Sequence, residues 1–198
     1  MFTRTRSGSA VLMFASLGVA TTLQAGHAQE ATHHSHHHPL SVTTTVMPVC
    51  TLSAPAVAGA SANASYAANM ITLTQAIDPT TARVNQASLT LQIANAMCNN
   101  NAWLRLLSRN GGLISSTASD GASGSGPFVT VIPYTVAATW GGLHLTLDTS
   151  TGAKVAKVPT GGPNAGSLNL NLITEKSALP LLQGTYSDVL TVKVGAFY

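Results

Sequence analysis

Apolar and polar residues alternate with a period of two along most of this chain. Leu40, Val42, Thr44, Val46, Pro48 and Cys50 share one parity and predict a strand that ends at the first cysteine. Residues 53–68, rich in Ala, Ser and Asn, show no period and read as an irregular crossing, followed by a short strand over Met70–Thr74. Over residues 85–97, Ala87, Leu89, Leu91, Ile93 and Met97 oppose Gln86, Ser88, Thr90 and Gln92, so this strand delivers Cys98. Further alternating runs cover 102–107, 128–140, 143–147, 154–158 and 168–173. Asn110-Gly111-Gly112, Gly141-Gly142, Gly152 and Gly161-Gly162 punctuate them as turn signals. The last run places Tyr186, Leu190, Val192, Val194 and Ala196 on one side and Ser187, Thr191 and Lys193 on the other, a half-buried strand. No stretch sustains a helical period. Roughly eight short strands separated by turns predict an all-β antiparallel sandwich.

Composition narrows this reading. Only 8% of the 198 residues are charged, and Ala, Gly, Ser, Thr and Asn dominate the polar and small positions. A helical bundle would carry far more Glu, Lys and Arg. Residues 1–28 read as a secretory signal. Arg4 and Arg6 precede the apolar run 10–20, and Gly26-His27-Ala28 offers a small-x-small cleavage site. Without the leader, seven basic residues face six acidic ones, and no basic stripe is visible along the chain. Nucleic acid is therefore not an expected partner. Export makes a Cys50–Cys98 disulfide the default state of the two cysteines. Residues 29–39 (QEATHHSHHHP) form a polar, histidine-rich arm ahead of a domain spanning 40–198.

Several segments together resemble the spore coat protein U domain family, which includes pilin subunits of archaic chaperone–usher pili. They are Cys50-Thr51-Leu52, Met97-Cys98-Asn99, the run 106–113 (LLSRNGGL), Ile132-Pro133-Tyr134-Thr135-Val136, Trp140-Gly141-Gly142, and the closing 184–192 (GTYSDVLTV). The resemblance implies an incomplete immunoglobulin-like sandwich that lacks one strand. It also implies three partners: a periplasmic chaperone that first lends the strand, an outer-membrane usher, and a neighbouring subunit whose N-terminal segment replaces the chaperone's strand. This is β-augmentation. The groove is expected beside the terminal strand, at Tyr186, Asp188, Leu190, Val192 and Val194, and the expected location is the periplasm in transit and then a surface fibre. A donor strand should alternate large apolar residues, yet the arm Glu30 to His38 is polar. Either Leu40, Val42, Thr44 and Val46 form the donor, or this arm donates poorly.

Two other function classes stand beside the fibre subunit. His33, His34, His36, His37 and His38 are expected to take up zinc, copper or nickel adventitiously, and a secreted metal-binding protein would use that arm. A surface adhesin domain would use the Gly/Ser-rich loop 115–127. An enzyme is not expected, because the few acids form no general acid/base pair and no nucleophile has a base in a known spacing. Asp188, on the inward parity, reads as a hydrogen-bonded carboxylate near a strand end, and Tyr186 as a residue that locks a corner.

Overall fold

The computed structural model describes residues 41–117 and 126–196. The chain divides into two units, residues 1–44 and 45–198. Of the first, residues 41–44 are described; they are exposed and belong to no strand. The secretory signal, the histidine arm, Leu40 and most of the Gly/Ser-rich loop lie outside the described residues.

The second unit is an all-β antiparallel sandwich. In chain order its strands are β1 (Cys50–Leu52), β2 (Pro55–Val57), β3 (Ala64–Ala67), β4 (Met70–Leu73), β5 (Ser88–Cys98), β6 (Ala102–Ser108) and β7 (Leu113–Ser115). They continue as β8 (Val131–Ile132), β9 (Tyr134–Trp140), β10 (Leu143–Asp148), β11 (Val155–Pro159), β12 (Asn164–Thr174), β13 (Tyr186–Ser187) and β14 (Leu190–Ala196). The larger sheet runs β1-β5-β12-β9-β10, with β2 also on β5; the smaller runs β11-β6-β14. Both sheets turn one parity inward. Leu89, Leu91, Ile93, Val136, Ala138, Trp140, Leu168 and Leu170 of the larger sheet share a buried core with Leu104 and Leu106 of the smaller. Trp140 is fully buried, and its indole N–H donates to the Ala96 carbonyl at 3.2 Å, so the one polar atom of the core's largest side chain is satisfied. A small sheet, β13-β7-β8, covers a second cluster of Val84, Ile132 and Leu181.

Cys50 and Cys98 face each other across the β1–β5 ladder and form a disulfide. The route to Cys98 differs from strict alternation. The β5–β12 ladder slips between Gly166 and Leu168, so Ala94 and Asn95 of β5 stand opposite Ser167 alone. This bulge flips the parity. Ala96 and Cys98 turn inward, while Met97, expected in the core, is exposed.

Three further expectations are corrected. The strand over 40–50 is reduced to its last residue, because 41–49 pair with no strand and only Cys50 joins β5. Residues 53–68, expected to be irregular, contain β2 and β3. Small residues with no apolar period fold there because β2 is an edge strand on β5 and β3 closes a two-residue hairpin onto β4. Ala68 and Asn69 at that turn have φ of +49° and +61°, the left-handed pair that matches strand twist. The terminal strand is two elements. Tyr186 and Ser187 pair with β7, the strand is interrupted at Asp188 and Val189, and β14 then pairs with β6.

Candidate functional site

β14 is the edge of its sheet. Its seven residues pair in unbroken register with β6, and among the described residues no strand pairs with its other side. Leu190, Val192, Val194 and Ala196 stand opposite the buried Ser108, Leu106, Leu104 and Ala102, so their side chains turn inward. They remain half-buried, whereas the equivalent positions of β6 are fully covered. The cause is geometric: β6 has a neighbour on each side, and β14 has one.

A cleft of about 260 Å³ opens beside the start of β14. The β4 residues Met70, Ile71 and Leu73 line one side; Val189 and Leu190 line another; Leu172, Thr174 and Tyr134 close the floor. At the far end, β14 lies against β1 without a ladder between them. The free edge of the last strand therefore faces the edge made by the first strands of the domain, with half-buried Leu52, Tyr66, Ile71 and Leu73 on that side.

Asp188 stands at the mouth of this cleft, and the break between β13 and β14 turns it inward. Its carboxylate accepts hydrogen bonds from Ser108 Oγ, from the Tyr134 hydroxyl at 2.7 Å, and from the backbone N–H groups of Asn110 at 2.9 Å and Val189 at 2.7 Å. Ser108 Oγ in turn accepts from the Gly111 N–H at 2.8 Å. Partial burial raises the Asp188 pKa, but the bonds from Ser108, Tyr134, Asn110 and Val189 outweigh it and hold the carboxyl below its ordinary range. Burial, reinforced by the Asp188 charge, pushes the Tyr134 hydroxyl far above its own. The network ties three elements, the turn after β6, the start of β9 and the start of β14, to one charge. The carboxylate accepts four hydrogen bonds, and the serine hydroxyl is engaged both as donor and as acceptor.

Tyr186, expected on the groove, belongs elsewhere. Its ring packs on the Val84–Ile132–Leu181 cluster, and its hydroxyl lies 2.7 Å from the Leu182 carbonyl and 3.0 Å from that of Val129. The bond to Leu182, four residues upstream, is the corner lock expected of it. The structure thus brings Asp188, Leu190, Val192 and Val194 together along one edge and leaves Tyr186 on β13, beyond the interruption of the strand. Of the expected donor residues, Val42, Thr44 and Val46 are exposed and unpaired by any strand, Val42 at 95% and Val46 at 76%. His33, His34, His36, His37 and His38 lie outside the described residues, and no cluster of metal-ligating side chains occurs among those described.

Sequence reasoning missed Ser108, Asn110 and Tyr134 as the partners of Asp188. The signal was present: all three lie in the segments 106–113 and 132–136 that carry the family resemblance. It placed a strand over Met70–Thr74, observed as β4, but missed β3, its hairpin partner, because residues 53–68 have no apolar period, and so did not see β4 as a cleft wall. No protein-family model matches the chain, and no curated protein is significantly similar to it.

Proposed function

We propose that this protein is a structural subunit of a surface fibre, and that a strand from a neighbouring copy pairs with the free edge of β14. The observation that carries the reading is that edge. It is seven residues long and regular, it has half-buried Leu190, Val192 and Val194 beneath it, and it borders an apolar cleft. An added strand would satisfy the open backbone groups and cover the apolar side chains together.

The donor is the segment Leu40 to Val46. Val42 and Val46 are large apolar residues on one parity, fully displayed and outside any strand of their own domain. Such a segment is useful only when another surface receives it. A periplasmic chaperone would hold the edge before assembly, and an outer-membrane usher would exchange that strand for the neighbour's.

The test replaces residues 40–46 by a Gly/Ser sequence of equal length. The variant should fold, form its disulfide and fail to assemble, while still binding a synthetic peptide of residues 39–49. Peptide binding should slow hydrogen exchange at the amides of β14. Unchanged assembly of the variant, or β14 amides already fully protected in the single chain, would overturn the proposal. Co-production with a cognate chaperone should raise the soluble yield.

A further inference from the structure

The hydrogen bonds between the start of β1 and the end of β5 continue past the disulfide. The Asn99 N–H donates to the Val49 carbonyl at 3.1 Å, one residue beyond the Cys50–Cys98 pair. The Asn99 side chain then carries the pairing further. Its Oδ1 accepts from the Val49 N–H at 2.7 Å, and its Nδ2 donates to the Met47 carbonyl at 2.9 Å. Between these two residues lies Pro48, which has no N–H to give to a ladder. One side-chain amide thus grips the backbone on both sides of the proline. Residues 45–49 are all exposed, so burial holds them little and Asn99 supplies the grip.

The gripped stretch joins the donor segment 40–46 to the domain, and a tethered donor competes with a neighbour's. A short flexible link gives a tethered segment an effective concentration in the millimolar range. The root of the donor also lies near the end of β14: Ala196 stands opposite Ala102, the first residue of β6, and Cys98, opposite Cys50, is four residues before it. A loop of three residues is enough to reverse a strand. Proline favours the second position of a turn, as Pro48 would occupy in a turn over residues 47–50. Residues 40–46 match β14 in length, so after such a reversal they could run along its free edge. In the structure residues 47–49 form no turn. We infer that Asn99 is a positioning residue for assembly: by holding residues 47–49 out of a turn it keeps the chain's own donor off β14 and leaves that edge to a neighbouring copy. The inference rests on the fibre reading and adds to it what prevents self-pairing.

The chemistry of the grip requires an amide. It needs an acceptor for the Val49 N–H and a donor for the Met47 carbonyl on one short side chain, and asparagine carries both. Aspartate would keep the acceptor and set a second oxygen against the Met47 carbonyl; alanine would offer neither. Self-pairing has to break both side-chain bonds first. Two exposed hydrogen bonds of this kind shift an equilibrium on the order of tenfold.

The test compares the full chain with Asn99→Ala and Asn99→Asp by hydrogen exchange at β14, by binding of the synthetic peptide of residues 39–49, and by assembly. Asn99 is exposed, so both variants should fold and form the disulfide. In each, the β14 amides should exchange on the order of tenfold more slowly than in wild type, independently of protein concentration, and peptide binding and assembly should fall by a similar factor. A third variant combines Asn99→Ala with the Gly/Ser replacement of residues 40–46. It should regain fast exchange at β14 and wild-type peptide binding, a rescue that a merely structural role for Asn99 would not give. Assembly and β14 exchange of Asn99→Ala equal to wild type, or slowed exchange that persists in the third variant, would overturn the inference and leave the fibre reading standing. A wild-type chain that neither assembles nor binds the peptide would overturn both.

Discussion

Asp188→Asn isolates the network that fixes the start of β14. The two carboxylate oxygens have separate tasks: Oδ1 accepts from the Asn110 and Val189 N–H groups, and Oδ2 accepts from Ser108 and Tyr134. An asparagine can keep its oxygen at the first position. Its amide nitrogen then occupies the second, where it faces two hydroxyls that now have no acceptor. Hydrogen bonds to a charged group contribute about 1.5–3 kcal/mol each, and the hydroxyls recover part of that by rotating to accept, so the expected loss is about 2–3 kcal/mol. For a domain of this size that lowers the melting temperature by roughly 5–10 °C. The removal of all four interactions in Asp188→Ala should cost about 4 kcal/mol.

The pH dependence separates charge from packing. The folded-state pKa of Asp188 is depressed, so its contribution is fully present above the unfolded value of about 3.9 and is lost as pH falls through the lower folded value. Asp78, held low by the N–H groups of Thr81 and Thr80, and Asp148, held low by the Ser150 hydroxyl and N–H, act in the same window. Both remain in the variant and cancel in the comparison. Urea denaturation of wild type and Asp188→Asn across this range should therefore give a constant difference near neutrality that shrinks on acidification. Equal stability at neutral pH, or a gap that persists undiminished into acid, refutes the role assigned to the charge.

Two further outcomes follow from the fold. Replacing Cys50 and Cys98 by serine opens a loop of 48 residues and should lower stability by about 4 kcal/mol on the chain-entropy model; thermal denaturation with and without reductant reads it. Ala68→Gly removes a Cβ from a left-handed turn position and should raise stability by about 0.5–1 kcal/mol, seen as a higher urea midpoint at unchanged slope.

Period-two patterning located most long strands because in those strands one face is buried and the other is not. It failed where that condition failed. In β5 the bulge at Ala94 and Asn95 reversed the faces, and Met97 went outside. In β2 both Ala56 and Val57 are exposed, and in β3 only Ala64 and Tyr66 turn inward, too few positions to give a periodic signal. Asp188 was legible as an inward carboxylate, but its partners lie 78 to 80 residues away on β6 and its turn, and 54 away on β9. Only tertiary pairing brings them together. The grip of Asn99 on Val49 and Met47, 50 and 52 residues away, was illegible for the same reason.

The treatment of the sheet edges bears on which one is meant to be paired. Exposed edges invite association, and proteins blunt them with proline, charge, bulges or short length. The β1–β2 edge is broken into two three-residue pieces, with Pro48 ahead of the first and Pro55 opening the second. On the opposite flank β10 and β11 lie against each other, and β11 ends in Pro159 and displays Lys157. β14 has none of the structural devices: it contains no proline, its register with β6 has no bulge, and its single charge, Lys193, sits on the outer face. This regularity supports the proposed pairing at β14, whose edge runs unbroken over seven residues above half-buried Val192 and Val194. Lys193 and Val192 separate the two surfaces of the same strand. Val192→Asn on the inner face should impair assembly, whereas Lys193→Gln on the outer face should spare it.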